Sequence, residues 1–317
     1  MNFEIDEQQR DFAASIDAAL GAASVPSTVR AWAEGDTAPG RKVWSTLSDL
    51  GVTALLVPEK YDGIGAHPVD LVVAAERLGY WGVPGPVTES IAVAPVLLAE
   101  DDRSGALASG ELLATVAFPA RVPRAVDADS AGLILVADDG AMREGSAGEQ
   151  HESVDPSRKL FDVTASGDAQ SADTATAFEY GVLSNAAQLI GLGQAMLDGS
   201  VEYAKQRTQF GRTIGSYQAI KHKLADVYIA VELARPLVYG AALSLADGSA
   251  DTARDVSAAL VAAADAALLS ARSSLQTHGA IGFTQEHDLS LLLLRVQALR
   301  SAWGDPTWHR HRVLEAF

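Results

Sequence analysis

Three long segments in the second half of the chain carry a helical pattern of apolar residues, and they constrain the fold more than any other feature. Two core-facing stripes consist of Val182, Leu183, Ala186, Leu189 and Ile190, and of Ile220, Leu224, Val227, Tyr228 and Val231. The third segment, Thr252 to Leu275, is rich in alanine. Small side chains let helices approach closely, so the pattern predicts a tightly packed antiparallel bundle. Pro236 is expected to kink the second helix.

The first half of the chain changes pattern once. Amphipathic helices are predicted for residues 6–22, 43–51 and 68–78. Between Glu111 and Gln170, short β-prone runs at 113–118 and 132–137 alternate with polar clusters, which predicts a small β region with long polar loops. We therefore predict a mainly α chain: an N-terminal helical domain (1–110), a reduced β-domain (111–177) and a C-terminal helical bundle (178–317).

Charge and composition exclude several kinds of function. Lys and Arg total 24 against 41 Asp and Glu, a formal net charge of −17, which disfavours nucleic acid and anionic lipid as partners. The absence of cysteine excludes disulfides and thiolate metal ligands, and the histidines show no convincing metal spacing. Because the N-terminal residues 1–6 are acidic and no unbroken run of about 18 apolar residues occurs, we expect a cytoplasmic protein that does not enter a membrane.

The segment Arg207-Thr-Gln-Phe-Gly-Arg-Thr-Ile-Gly215 leaves one predicted helix and enters the next. It offers guanidinium groups, backbone amides and a helix start in one place, a combination that suits a pyrophosphate. The alternative is that Arg207 and Arg212 cap helix ends or pair with surface acids. A second segment, Gln276-Thr-His-Gly-Ala-Ile-Gly282, ends the third long helix with glycines that permit close backbone approach to a ligand.

Both segments resemble the acyl-CoA dehydrogenase family, as does Val57-Pro-Glu-Lys-Tyr-Asp-Gly-Ile-Gly65 in the N-terminal half. The resemblance implies an acyl-CoA dehydrogenase-like fold with a shortened middle domain, and FAD as cofactor. The residues that it assigns to the adenine and diphosphate end of FAD are Arg207, Gln209, Phe210, Gln218, Gln276 and Gly279. The second glycine of the family's usual pair is replaced by Ala280.

The family's catalytic carboxylate is missing. Oxidation of an acyl thioester requires a base for the α-proton, which the family supplies from one of two places. Aligned here, these places are Trp303-Gly304 and Gly181, so we assign no catalytic residue. Asp305 and Glu179 lie two residues away, where a helical side chain points elsewhere. We expect Glu286 and Asp288 to cap the next helix.

The resemblance therefore implies a subunit that contributes to an enzyme's cofactor site but lacks its catalytic base. We expect a heteromeric FAD-dependent acyl-CoA dehydrogenase, typically an α2β2 heterotetramer, in which a longer partner subunit supplies the catalytic Glu and flavin pocket and this chain contacts the ADP half of FAD. Relatives of this kind act on acyl-CoA thioesters in bacterial steroid and cholesterol degradation. Two alternatives are a homomeric dehydrogenase with a relocated base, such as Glu179 or Glu286, and a non-catalytic helical scaffold.

Overall fold

The computed structural model describes residues 5–317 and confirms a mainly helical chain with a small sheet. Residues 1–4 of the acidic N-terminal segment lie outside the described part. The helices that precede the sheet are α1 (Glu7–Ala22), α2 (Val25–Ala33), α3 (Ala38–Asp49), α4 (Pro68–Trp81), α5 (Ala94–Leu97) and α6 (Ser104–Ala108). A π-helical turn, Thr88–Val93, leads directly into α5.

Local sequence explains where these helices begin. The Asp6 carboxylate accepts a hydrogen bond from the Gln9 amide at 2.8 Å, and the Gln9 side chain accepts one from the Asp6 amide at 3.1 Å. This reciprocal cap satisfies two amides that α1 cannot bond internally. Pro68 occupies the first position of α4, where its missing N–H costs nothing. The helix predicted for 43–51 begins earlier, at Ala38.

The middle of the chain forms one five-stranded sheet. Its strands are β1 (Ala114–Ala117), β2 (Arg124–Val126), β3 (Leu133–Asp138), β4 (Ala141–His151) and β5 (Leu160–Ser171), in the order β1-β3-β4-β5-β2. The pair β1 and β3 is parallel, whereas the other neighbours are antiparallel. The β-prone runs predicted at 113–118 and 132–137 form β1 and β3. The expected long polar loops are wrong in part, because β4 and β5 form a long hairpin that is mostly exposed on both faces and so lacks an apolar alternation.

The C-terminal half is the predicted bundle. It comprises α7 (Thr174–Gln206), the two-residue strands β6 (Thr208–Gln209) and β7 (Arg212–Thr213), α8 (Gln218–Ala246), α9 (Thr252–His278), α10 (Leu289–Leu299) and α11 (Pro306–Leu314). The central helix is α7, which packs against α4, α8 and α9. The helix α8 continues through Pro236. The domain boundaries at 110 and 177 stay predictions; β1 begins at Ala114 and α7 at Thr174.

Two of these helices have the length and mean hydropathy of membrane spans. They are α8 and the segment Thr252–Phe283, which contains α9. Their most apolar 18-residue windows are 33% and 61% buried within the protein, respectively. The apolar surface of α9 is therefore largely used by the bundle, whereas much of the apolar surface of α8 faces outward.

One buried guanidinium joins the three parts of the fold. Arg295 of α10 forms an ion pair with Asp155, in the loop between β4 and β5, and both side chains are 5% exposed. The same guanidinium donates to the Ser157 hydroxyl and to the Val83 carbonyl oxygen, each at 2.9 Å. The N-terminal helices, the sheet and the bundle are thus bonded through one side chain.

Candidate functional site

The two segments that the sequence singled out meet at one end of the bundle. Arg207 follows the last residue of α7 in an extended conformation, and Gly279 follows the last residue of α9. The Tyr203 ring of α7 stacks on His278 of α9, with 4.3 Å between ring centroids. The Lys223 ammonium of α8 donates a hydrogen bond to the Gln276 side-chain oxygen of α9. These contacts bring residues 75 and 53 positions apart in sequence onto one surface.

A tight hairpin projects from this surface. Phe210 and Gly211 are the two central residues between β6 and β7, and both have positive φ, 52° and 80°. Two consecutive positive values define the hairpin turn that matches the twist of antiparallel strands. The Phe210 side chain is 92% exposed. The hairpin is fixed from behind, because the Tyr217 hydroxyl donates to the Gln209 carbonyl oxygen at 3.2 Å.

The surface is basic in an acidic chain. Residues 203–225 include Lys205, Arg207, Arg212, Lys221 and Lys223 and contain no Asp or Glu, although the whole chain carries −17. Arg212 stacks on Tyr217 at 4.0 Å, and Lys205 pairs with Glu202 at 2.6 Å. Within residues 5–317, Arg207 forms neither an ion pair nor a side-chain hydrogen bond, so the alternative of pairing with a surface acid does not apply to it. Its exposed guanidinium remains available to an anion.

The remaining predicted residues fit the ADP half of FAD. Gln218 is the first residue of α8, where free helix amides favour a phosphate. A side chain at Gly279 would meet nothing within 4 Å, so the backbone there is open to a ligand. Because Lys223 occupies the oxygen of Gln276, the amide nitrogen of Gln276 is left to donate outward. The six predicted residues lie on the three helix ends and the hairpin described above; their role as FAD contacts stays a prediction.

The two family positions for the catalytic carboxylate touch each other. Trp303 is fully buried, and a β-carbon built on Gly181 would overlap its six-membered ring. Phe118 and Phe178 pack on the same indole, with ring centroids 5.7 and 5.8 Å away. An aromatic cluster thus fills the space around both positions from which the family supplies its base.

The neighbouring acids are engaged elsewhere. Glu179 forms a half-buried ion pair with Arg312. The Asp305 carboxylate accepts a hydrogen bond from the Thr307 amide at 2.7 Å and so caps α11, and this bond holds the pKa of Asp305 below its usual range. The capping that we predicted for Glu286 and Asp288 is wrong in part: Asp288 occupies the N-cap position of α10, but its side chain forms no capping hydrogen bond. Asp288 pairs with Arg30 at 2.7 Å, Glu286 is exposed, and the imidazole of His287 accepts the Leu289 amide instead.

One buried acid was missed by the sequence analysis. Glu89 lies on the π-helical turn before α5 and is 3% exposed. Burial raises the pKa of Glu89, while the positive charge of Arg158 and hydrogen bonds from its own backbone and from the Trp303 indole oppose the rise. The signal was present in the sequence, because Glu89 is a lone acid within the largely apolar run 83–98.

Two helical domains around a small sheet, with a basic surface at the end of the bundle, form the architecture of a helical flavoprotein dehydrogenase. Residues 6–100 match the family model of the acyl-CoA dehydrogenase N-terminal domain, and residues 172–317 match that of the C-terminal domain. The chain is 31% identical to "Acyl-CoA dehydrogenase IpdE2" of Mycolicibacterium smegmatis over 91% of this chain and 92% of the relative. The chain belongs to the acyl-CoA dehydrogenase family.

Solved structures share the fold along the whole chain. A steroid ACAD variant described as Tcur3481-Tcur3483 aligns with a TM-score of 0.87 and 20% identity, covering 98% of this chain and 97% of the other. The ChsE4-ChsE5 complex from Mycobacterium tuberculosis aligns with a TM-score of 0.85 and 22% identity, covering 99% of this chain and 98% of the other. At these identities the comparison establishes the fold.

Proposed function

We propose that the chain is the non-catalytic subunit of a heteromeric acyl-CoA dehydrogenase. It contacts the ADP half of a FAD whose ring lies in a longer partner subunit, and that partner supplies the catalytic Glu. When bound, FAD accepts a hydride from the β-carbon of the acyl thioester. This chain's share is to hold the phosphates and the adenine and to complete the oligomer.

The observation that carries this proposal is the packing of Trp303 against Gly181. Both places from which the family supplies its base are occupied, one by an indole and the other by a glycine without room for a side chain. In our proposal the base therefore comes from another chain. By contrast, the surface around Arg207 and Gln276 is open, basic and built on helix ends, and so retains what a neighbouring subunit's cofactor needs.

An unpartnered apolar stripe supports the oligomer. Tyr228, Ile229, Leu233 and Leu237 of α8 are between 48% and 70% exposed. Three of them, at positions 229, 233 and 237, recur every fourth residue and so lie on one helix face. Exposed apolar residues grouped in this way are typical of subunit interfaces.

The descriptions of two structural relatives support the proposed heteromeric assembly and substrate class. ChsE4-ChsE5 is described as a complex, and the Tcur3481-Tcur3483 protein as a steroid ACAD. We extend both properties to this chain as part of the proposal. The substrate would then be the CoA thioester of a steroid-derived acid, and the assembly an α2β2 heterotetramer.

The test is to purify the chain alone and again co-expressed with a longer acyl-CoA dehydrogenase subunit. Oligomer mass and the visible flavin spectrum are recorded for each preparation. We expect stoichiometric flavin in the mixed complex only. In that complex, Arg207→Ala should lower flavin retention because it removes a charge-assisted contact worth about 1.5–3 kcal/mol. Arg310→Ala, which removes an exposed Arg paired with Asp265, is the matched control.

The same experiment separates the alternatives. Stoichiometric flavin and dehydrogenase activity on the chain alone would mean a homomer with a relocated base, which Glu179→Gln or Glu286→Gln should then inactivate. The ion pair between Glu179 and Arg312 and the exposure of Glu286 argue against either base. Flavin absent from every mixed complex would instead favour the helical scaffold.

A further inference from the structure

A cleft separate from the Arg207 surface lies between the sheet and α10. Its volume is about 290 Å³, and it is lined by the loops that precede β2 and β5, by the C-terminal part of α10 and by Glu89. Arg121, Arg124 and Arg158 all face it, whereas the wall contributed by α10 and the residues just after it is uncharged. The lining holds two acids, Glu89 and Glu152, against these three Arg residues, so the cleft carries an excess of positive charge in an acidic protein.

Arg158 is the unusual member of this set. Its residue is 8% exposed, yet within residues 5–317 its guanidinium forms neither an ion pair nor a side-chain hydrogen bond. The guanidinium nitrogens keep some contact with solvent, and Arg158 lines the cleft. The guanidinium group therefore opens onto the cleft. A buried guanidinium without an anion is costly, and proteins retain such a group where a ligand completes it.

The surrounding charges leave room for that ligand. Glu89 faces the same cleft but lies beyond ion-pair distance of Arg158, although its charge opposes the lowering of the Arg158 pKa that burial causes. Arg124 is neutralised by Asp162 at 3.3 Å. Arg121 is held over the Trp308 ring at 4.5 Å and has no acidic partner among the described residues. Glu152 also lines the cleft, but it is exposed and forms no ion pair within residues 5–317. The guanidinium groups of Arg158 and Arg121 thus have no directly bonded acid and remain for one anion.

We propose that this cleft binds a small oxyanion, a carboxylate or a phosphate, with Arg158 as the buried anchor and Arg121 at the entrance. Planar guanidinium groups match both kinds of oxyanion through paired hydrogen bonds. Glu89 limits the affinity, because its negative charge faces the same space. The site is independent of the proposed FAD contacts, since it lies on α10 and the sheet loops and not at the ends of α7 and α9.

The test is a calorimetric titration of the full chain with glutarate and, separately, with inorganic phosphate, at constant ionic strength. Saturable binding of at least one probe is expected, and which probe binds distinguishes the two sources of oxyanion. Arg158→Gln should weaken it by about tenfold or more, as loss of a charge-assisted hydrogen bond predicts. Arg310→Gln removes an equal charge far from the cleft and should leave the affinity unchanged.

A second variant guards against a folding artefact. Glu89→Gln keeps the shape of the side chain but removes the opposing charge, so it should tighten anion binding, an effect that mere destabilisation cannot produce. No saturable binding of either probe, or equal affinity in the Arg158 and Arg310 variants, would overturn the proposal. If circular dichroism shows that Arg158→Gln does not fold, the affinity of Glu89→Gln for the anion tests the proposal instead. An unchanged affinity in that variant would then count against the site.

Discussion

Phe210 combines two properties that rarely occur together. Its backbone is left-handed, which costs a bulky L-residue roughly 1–2 kcal/mol, and its ring is almost fully exposed. Neither property benefits the isolated chain. A strained, exposed aromatic residue at the tip of a fixed hairpin is understandable if the ring stacks on a ligand such as adenine.

Phe210→Asn should therefore move stability and cofactor retention in opposite directions. Asn tolerates the left-handed conformation, so the free energy of unfolding should rise by up to about 1 kcal/mol. Flavin retained by the mixed complex should fall, because the stacking surface is lost. Denaturant melts of the chain and flavin absorbance of the complex measure the two effects. Full flavin content in the variant would remove Phe210 from the proposed contacts.

At the residue scale, motif spacing in the sequence singled out Arg207 and Gln276, and the structure places both at helix ends beside glycine turns; their role as FAD contacts stays a prediction. Motif spacing did not reveal Lys223, which lies one and a half turns into α8 and meets Gln276 only when the helices pack. Nor did it show that Trp303 and Gly181 are in contact. These two contacts span 53 and 122 positions and depend on helix packing, which a pattern along one helix does not specify.

Among the elements, α8 has the largest unsatisfied apolar face. Leu233→Asp should break the oligomer, because a carboxylate cannot be buried in an apolar interface without a partner. We expect the mass measured by light scattering to fall while circular dichroism stays unchanged. Leu314→Asp is the matched control, since Leu314 is 69% exposed against 70% for Leu233 but lies on α11. An intact oligomer in the Leu233 variant would place the interface elsewhere.

The short helix α11 depends on a buried histidine. His309 is fully buried, with Nε2 donating to the Trp303 carbonyl oxygen at 2.9 Å and Nδ1 accepting from the Ser257 hydroxyl at 3.0 Å. Burial lowers the pKa of His309 to about 4, against the opposing effect of the hydrogen bond to Trp303. The hydrogen bond that Nδ1 accepts from Ser257 requires an unprotonated Nδ1, whereas Nε2 can donate to the Trp303 carbonyl oxygen in either charge state.

Stability should therefore depend on pH through His309. Above pH 6.5 the imidazole is neutral in both states and the contribution is complete. As the pH falls from about 6.5 to 4, His309 becomes protonated in the unfolded chain but stays neutral in the folded chain. The free energy of unfolding should therefore fall by up to roughly 3 kcal/mol. The measurement is the free energy of unfolding against pH for the wild type minus His309→Gln. A flat difference would contradict the assignment.

The subtraction is needed because Asp127 acts in the opposite sense. Burial raises the pKa of Asp127 to about 7, so its contribution decreases as the pH rises from about 3.8 to 7. The wild type and His309→Gln both retain Asp127, so its effect cancels in the difference between their free energies of unfolding.

The elements themselves were predictable to different degrees. The helices of the bundle followed from periodic stripes, because each helix buries one face. The strands β4 and β5 did not, since their side chains are mostly exposed and their stability comes from backbone hydrogen bonds to each other. A strand pair that buries little leaves almost no hydrophobic signal in the sequence.

For the whole molecule, the ion pair between Arg295 and Asp155 is the contact that unites the three parts. Arg295→Ala should lower the free energy of unfolding by about 3–5 kcal/mol, because the Asp155 carboxylate stays buried without its partner. The double variant Arg295→Met with Asp155→Leu should recover much of that loss. Chemical denaturation of the three proteins measures both effects, and a loss below about 1 kcal/mol in the single variant would show that the domains are held by other contacts.

The contact between Trp303 and Gly181 also bears on how this chain can evolve. A Glu introduced at position 181 meets the indole, and a Glu introduced at position 303 leaves a void among Phe118, Phe178 and the glycine. Either substitution alone should therefore lower stability, by a clash at position 181 or by lost aromatic packing at position 303. A base at position 181 would need a smaller side chain at position 303 as well, so the effects of mutations at the two positions are epistatic.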